Sequence, residues 1–122
     1  MARTVLQPGP QHPITVGPAP VRVTVRAGGT PVADTSSALA LQEASYPTVY
    51  YIPLADVRSD VLKPSDRTTY CPYKGDASYY SIATAAGEVA DAVWYYAEPY
   101  PAVAEIVGHV AFYANKVDII AT

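Results

Sequence analysis

The sequence predicts a mainly β fold, a compact single domain built from many short strands. A length of 122 residues is the usual size of one domain and allows a self-sufficient core. Apolar residues alternate with polar ones in several segments, as they do in half-buried strands. The 12 prolines interrupt helices and central strands, which favours short elements joined by rigid turns.

Residues 1–20 are predicted to form a Pro-rich arm, and residues 21–122 to form the β domain. The arm contains five prolines and two glycines, a composition that favours extended or polyproline backbone. Such a segment can lie along a sheet edge or on a neighbouring molecule.

The β domain is predicted to begin with a hairpin. In residues 21–26 three valines alternate with Arg and Thr, which is typical of a half-buried strand. Gly28 and Gly29 can adopt the positive φ angles of a tight turn, and residues 32–35 would return as the second strand.

A further strand is predicted in residues 38–43. Short-range propensity also allows a helix there, but Leu39 and Leu41 alternate and a β-rich run at 48–52 follows closely. In a strand Glu43 lies on the same face as these leucines, so its carboxylate would point toward the core or into a cavity.

The second half of the chain is predicted to contain two long central strands, residues 75–84 and 89–96. Gly87 can take a positive φ angle in the loop between them. The shorter predicted elements are a helical turn in 54–58, a loop at 63–66 leading to 68–71, a short helix in 101–107, and two strands, 110–113 and 117–120, that meet at a turn and close the sheet.

Charge and composition exclude several classes of protein. The net charge is −3 and the eight basic residues are scattered, so no positive stripe is available to bind nucleic acid. No run of apolar residues is long enough to span a membrane, and the N-terminus lacks the apolar core of a signal peptide. We therefore expect a cytoplasmic protein without a membrane or nucleic-acid partner.

Four segments resemble the family catalogued as domain of unknown function 427, over residues 21–120. They are Tyr-Tyr-Ile-Pro at 50–53, Thr-Tyr-Cys-Pro-Tyr-Lys-Gly-Asp-Ala-Ser-Tyr-Tyr at 69–80, Ala-Val-Trp-Tyr-Tyr at 92–96 before Pro99, and Val-Ala-Phe-Tyr at 110–113. The resemblance implies strongly bent, tent-like antiparallel sheets with one or two short helical turns. It implies no established activity, although a nucleotidyltransferase-like label is sometimes attached to the family.

Neither a nucleotidyltransferase site nor a metal site is expected. Nucleotidyl transfer needs paired carboxylates for Mg²⁺, but Asp56, Asp60 and Asp66 lie in predicted loops and a Walker-type motif is absent. Tetrahedral zinc needs about four ligands. His12, His109 and the single cysteine would meet only if the arm folded over the domain, so we predict no metal and no cofactor.

Cys71 and Lys74 form the first candidate for chemistry. The ammonium of Lys74 favours a thiolate at Cys71, which would make that sulfur a nucleophile. A lone cysteine is, however, more often a small buried apolar residue, and no histidine partner is recognisable.

Lys74 and Glu43 form the second candidate. Gly75 would allow close backbone approach beside Lys74, which could bind a carboxylate or phosphate, or form a Schiff base if desolvated. The simpler interpretation is an ion pair of Lys74 with Glu43 or Asp76. The two interpretations are compatible, because an inward Glu43 needs a partner.

The 11 tyrosines suggest the walls of a pocket. Strict alternation puts Trp94 and Tyr96 on one face together with Ala90 and Ala92, and aromatic rings beside small residues make a concavity with hydroxyl groups. Packing in a core with one phenylalanine, or a dimer interface, is the alternative. Tyr51, Tyr79, Trp94 and Tyr96 are the predicted ligand-binding residues.

The sequence therefore predicts a small-molecule-binding domain that would act, if it is an enzyme, on a small anionic or carbonyl-containing metabolite. Lys74 would anchor an anion or act as acid or base, and Glu43 would orient Lys74 or exchange a proton; Cys71 is the third catalytic candidate. The alternative is a non-catalytic homodimer in which the arm crosses to the partner. Nucleotidyl transfer is the third hypothesis.

Overall fold

The alternating segments of the sequence form strands in the computed structural model, which describes residues 3–122. The strands are β1 Ile14–Pro18, β2 Val23–Ala27, β3 Thr30–Thr35, β4 Leu39–Glu43, β5 Val49–Pro53, β6 Leu62–Cys71, β7 Gly75–Thr84, β8 Gly87–Tyr95, β9 His109–Phe112 and β10 Asp118–Ala121. Three short 3₁₀ turns, one more than expected, occupy Leu54–Asp56, Ser59–Val61 and Pro101–Ile106. In this part of the chain, no helix has the length and apolarity to cross a membrane.

The strands make two antiparallel sheets. The larger has seven strands in the order β1-β4-β5-β9-β8-β7-β6, and the smaller has three in the order β10-β2-β3. The predicted class is confirmed: the protein is mainly β, a single domain of antiparallel sheets with little helix.

The prediction of a loop at residues 63–66 is wrong. These residues belong to β6, which runs without interruption through a register shift between Pro64 and Thr68. β6 is the edge strand of the larger sheet. A proline is tolerated there because its missing N–H need not pair with a further strand.

The two final strands do not close one sheet, as the sequence analysis expected. β9 pairs with β5 and β8 in the larger sheet, whereas β10 pairs with β2 in the smaller. The turn between them is present, since the carbonyl of Tyr113 accepts hydrogen bonds from the backbone N–H groups of Lys116 and Val117. The chain thus changes sheets at this turn.

Both faces of the larger sheet are buried. Two consecutive residues of β5 show this, since Ile52 packs into a first core cluster and Tyr51 into a second on the other face. The first cluster joins the two sheets and includes Val23 and Val25 of β2. The second lies on the opposite face of the larger sheet, beside the 3₁₀ turn Pro101–Ile106.

A bulge in β8 interrupts the strict alternation of side chains that the sequence predicted. The pairing of β7 with β8 shifts between Tyr80 and Ile82, and Asp91 adopts a φ of 50°. Ala92 therefore packs in the first cluster, whereas Trp94 and Tyr96 pack with the second. The predicted shared face of these aromatic residues with Ala92 is wrong.

The Pro-rich segment packs on its own domain. Residues Ile14–Pro18 form β1 at the edge of the larger sheet, paired with β4. Upstream, the backbone N–H of Leu6 donates to the carbonyl of Pro72, and the Arg3 guanidinium contacts both carboxylate oxygens of Asp76. This segment therefore covers the turn between β6 and β7.

Candidate functional site

A cavity of about 290 Å³ lies on the face of the larger sheet that carries the second core cluster. Six of the seven predicted site residues line it: Glu43, Tyr51, Lys74, Tyr79, Trp94 and Tyr96. Its other lining residues are Leu41, Tyr46, Pro47, Val49 and Tyr113. The seventh predicted residue, Cys71, does not line the cavity, but its sulfur contacts Nζ of Lys74.

Lys74 reaches the cavity from the turn between β6 and β7. Its backbone N–H donates to the carbonyl of Cys71 and its own carbonyl accepts from the N–H of Tyr100, so the main chain is fixed on both sides. The residue is only 8 % exposed, and its Nζ lies 2.5 Å from Oε1 of Glu43. Asp76, the other candidate partner, pairs with Arg3 instead.

Gly75 permits this turn to pack against the chain that follows β8. Its φ is 110°, a conformation that side-chain-bearing residues rarely adopt. A Cβ at this position would lie 3.3 Å from the backbone oxygen of Glu98. The predicted close approach beside Lys74 therefore exists, and it requires glycine.

Glu43 lies at the end of β4 and points inward because it continues the face of Leu41, as predicted. Its second carboxylate oxygen lies 2.7 Å from Nε2 of His12. The pairing of β1 with β4 explains the contact, since Ile14 is the register partner of Glu43 and His12 lies just before it. His12 also stacks on Tyr73, with ring centroids 4.2 Å apart.

Glu43 is an ionised carboxylate that accepts hydrogen bonds from two nitrogen donors. Its partial burial by itself would raise its pKa, but the hydrogen bonds from Lys74 and His12 outweigh that effect, and the net result is a pKa below the ordinary value. From the sequence, His12 was a candidate only for a zinc ligand, and this role was not predicted. No local pattern could reveal it, because the two residues are 31 positions apart.

Cys71 is partly buried against the second core cluster. Its sulfur lies 3.8 Å from Nζ of Lys74, the long distance typical of a weak contact to sulfur. The predicted proximity of the thiol and the ammonium is therefore present. The thiol does not border the cavity, so a ligand there would meet Lys74 first.

Tyr51 and Tyr96 present protonated hydroxyl groups at this site. Burial is the main cause that raises the pKa of each well above the ordinary tyrosine value. The Tyr51 hydroxyl accepts a hydrogen bond from Nε1 of Trp94 at 3.3 Å. None of the hydrogen bonds found within residues 3–122 involves the Tyr96 hydroxyl, which leaves it available to a ligand.

Tyr79 and Tyr113 form another part of the cavity wall. The hydroxyl of Tyr79 is 2.8 Å from Oγ1 of Thr69 and 3.3 Å from the hydroxyl of Tyr113. Burial, followed by the hydrogen bond with Tyr79, raises the pKa of Tyr113 to about 12. Tyr113 was not among the predicted site residues, although it ends the Val-Ala-Phe-Tyr segment.

The acidic residues considered for metal binding do not form a cluster. Asp56 accepts a hydrogen bond from Thr35, Asp60 pairs with Arg58, and the ring of His109 contacts the carbonyl of Val107. Within residues 3–122, no group of three or more His, Cys, Asp or Glu residues is arranged to hold a metal ion.

The family resemblance is borne out over nearly the whole domain. No curated protein matches the chain. Residues 15–122 match the family model labelled NTP_transf_9, whose description is "Domain of unknown function (DUF427)". This match covers all ten strands except the first residue of β1, and the protein therefore belongs to the DUF427 family.

Proposed function

We propose that the protein binds a small metabolite through a carbonyl or carboxylate oxygen at Lys74, and that this site is able to exchange a proton with the bound group. The observation that carries the proposal is a buried Lys–Glu ion pair in the wall of a cavity that also receives tyrosine hydroxyls. Clusters of this kind, in which burial and opposite charges meet in a cleft, are characteristic of functional sites.

Stability alone is a weak reason for such a pair. Burying two charges removes their hydration, and replacing a buried ion pair by apolar residues of similar size is often neutral or stabilising. An ammonium that borders open space in a cavity has a further use, because it can donate to a ligand oxygen.

The donors at the site suit a carbonyl or carboxylate group. An ammonium has three N–H groups; one points to Glu43 and one to the sulfur of Cys71, so a third remains for a ligand. The Tyr96 hydroxyl, kept protonated by its raised pKa, supplies a second donor. Both residues line the same cavity, where two donors directed at one oxygen atom would hold it and polarise the carbon that carries it.

Acid–base chemistry is available through a short chain of contacts. Glu43 bridges His12 and Lys74 with its two oxygens. A proton given by Lys74 to a bound oxygen can be replaced through Glu43 from Nε2 of His12, and the partly exposed imidazole then takes up a proton from solvent at Nδ1. In this arrangement Lys74 is the proposed catalytic residue, and Glu43 and His12 are positioning residues.

Thermal shift measurements with butanoate and butanone would test the binding. Both compounds are expected to raise the melting temperature of the wild-type protein. Lys74→Met removes the ammonium and keeps an unbranched side chain, so it should abolish the shift. Lys63→Met is the matched control, because Lys63 is exposed and pairs with Glu88 on the surface.

Tyr96→Phe provides a second variant that removes only a hydroxyl group. It should weaken binding without loss of the fold. A shift of the same size in Lys74→Met, Tyr96→Phe and wild type would contradict the proposal, and so would the absence of a shift with either compound in the wild type.

A further inference from the structure

A second cavity, of about 410 Å³, lies between the two sheets and beside the cavity at Lys74. Val25, Ile52, Phe112 and Ile119 are among its lining residues, and none of the lining residues is an Asp, Glu, Lys, Arg or His. This cavity is therefore apolar, whereas its neighbour contains an ion pair.

The two cavities share part of their walls. Five residues border both of them: Tyr46, Pro47, Val49, Trp94 and Tyr113. The larger sheet would normally separate the two spaces, because one lies on each of its faces. The shared residues mark the place where the two cavities adjoin.

The pairing of β5 with β9 explains why the sheet is open there. Its ladder contains two pairs, Ile52 with Val110 and Pro53 with His109. If the same register continued, Tyr50 would pair with Phe112 and Val49 with Tyr113, but no such pairs form. The strands therefore diverge between the two cavities, at the edge of the loop that carries Tyr46 and Pro47.

We infer that one ligand occupies both cavities, with its oxygen-bearing head at Lys74 and an apolar chain that passes between Val49 and Tyr113 into the space between the sheets. The inference rests on the proposed function and names its substrate class: a medium-chain acyl compound, either a carboxylic acid or a ketone. Each cavity alone is close to the lower limit of known ligand pockets, about 300 Å³, and together they suit an elongated molecule.

The burial of the chain would supply most of the affinity. Transfer of each methylene group from water to an apolar site favours binding by a roughly constant increment, which corresponds to about a fourfold gain in affinity. A head group alone, held by an ammonium already paired with Glu43, binds weakly. Chain length is therefore the variable that distinguishes this inference from the proposed function.

The fluorescence of Trp94 offers a direct measurement, because this residue borders both cavities and is the one tryptophan of the chain. Titrations would use butanoate, hexanoate, octanoate and the matched methyl ketones at concentrations below micelle formation. Affinity is expected to increase about fourfold for each added methylene until the apolar cavity is filled.

Ala114→Phe and Ile119→Phe would place a ring in the apolar cavity without touching the polar one, since each of these residues borders the apolar cavity alone. Both variants should lose the dependence on chain length and retain the affinity for butanoate. Ala83→Phe is the control, because Ala83 is exposed on β7 and borders neither cavity.

The outcomes separate the two proposals. If butanoate binds in a Lys74-dependent way but longer chains bind no tighter, the inference is wrong and the proposed function stands. If the dependence on length persists in both phenylalanine variants, the chain lies elsewhere and the inference is again wrong. If none of the compounds binds the wild type, both proposals fail.

Discussion

Nζ of Lys74 lies 2.5 Å from Oε1 of Glu43, although the two residues are 31 positions apart in the sequence. The contact joins the end of β4 to the turn between β6 and β7. Their side chains are only 9 % and 17 % exposed. An ion pair this well shielded has consequences for stability that differ from those of the surface pairs.

Removal of either partner should destabilise the protein more than removal of both. Glu43→Leu leaves a buried ammonium without its counter-ion, and Lys74→Met leaves the carboxylate with His12 as its remaining partner, so each should lower the free energy of unfolding, the first by about 3 kcal/mol. The double variant should lose less than either single one. Urea denaturation of the four proteins measures this, and additive losses would show that the two charges are not coupled.

Acid should weaken the fold through Glu43. The pKa of Glu43 is lower in the folded protein than its ordinary value of 4.5, so the unfolded chain takes up a proton first as the pH falls. The stability from this group is present above about pH 4.5 and is lost as the pH falls through the folded value. Glu43→Gln should show a shallower decline of stability below about pH 4.5 in urea titrations; an unchanged slope would contradict this.

Alkali should weaken the fold through the buried tyrosines. Burial raises the pKa of Tyr51 and Tyr96 above the ordinary value of 10.0, so these hydroxyls keep their protons after unfolded tyrosines have lost theirs. Their contribution to stability is complete below pH 10 and decreases as the pH rises above it. In absorbance titrations of tyrosinate, Tyr51→Phe and Tyr96→Phe should each remove one late-titrating group. Loss of an early-titrating group instead would be inconsistent with the buried position.

Gly75→Ala should be costly, and Gly17→Ala should not. Gly75 has a φ of 110° and a Cβ there would meet the Glu98 oxygen at 3.3 Å, whereas Gly17 in β1 has open space around it. We expect a loss of roughly 1–3 kcal/mol for Gly75→Ala, and little change for Gly17→Ala. Thermal denaturation tests this pair, and similar melting temperatures for the two variants would refute the account of the turn.

Much of the site follows from short-range patterns. The alternation of Leu39 and Leu41 directs Glu43 inward, and Lys74 precedes a glycine at the start of a long strand. These two features make each side chain a candidate for the site, but the choice of Glu43 rather than Asp76 as the partner of Lys74 depends on how the strands pair. Both patterns are local, and the larger sheet preserves them because its strands are buried on both faces.

The features that local patterns miss arise from pairing between distant strands. The bulge at Asp91 turns Ala92 to the first cluster, whereas Val89 and Val93 on either side keep the alternation, and it depends on the register with β7. The position of His12 beside Glu43 depends on the pairing of β1 with β4. Likewise, β10 belongs to the smaller sheet because it pairs with β2. Alternation within one segment cannot contain this information, since it fixes a face but not a neighbour.

The position of His12 also affects how the site should be compared across the family. The family match begins at residue 15, whereas the histidine that holds one oxygen of Glu43 lies three residues earlier. A shortened protein cut at the family limit would keep the carboxylate and its ammonium but lose the imidazole and its stacking on Tyr73. Recombinant work on this domain should therefore retain the upstream segment. Without it, Glu43 would lose the hydrogen bond from His12 that helps to lower its pKa, before any ligand is added.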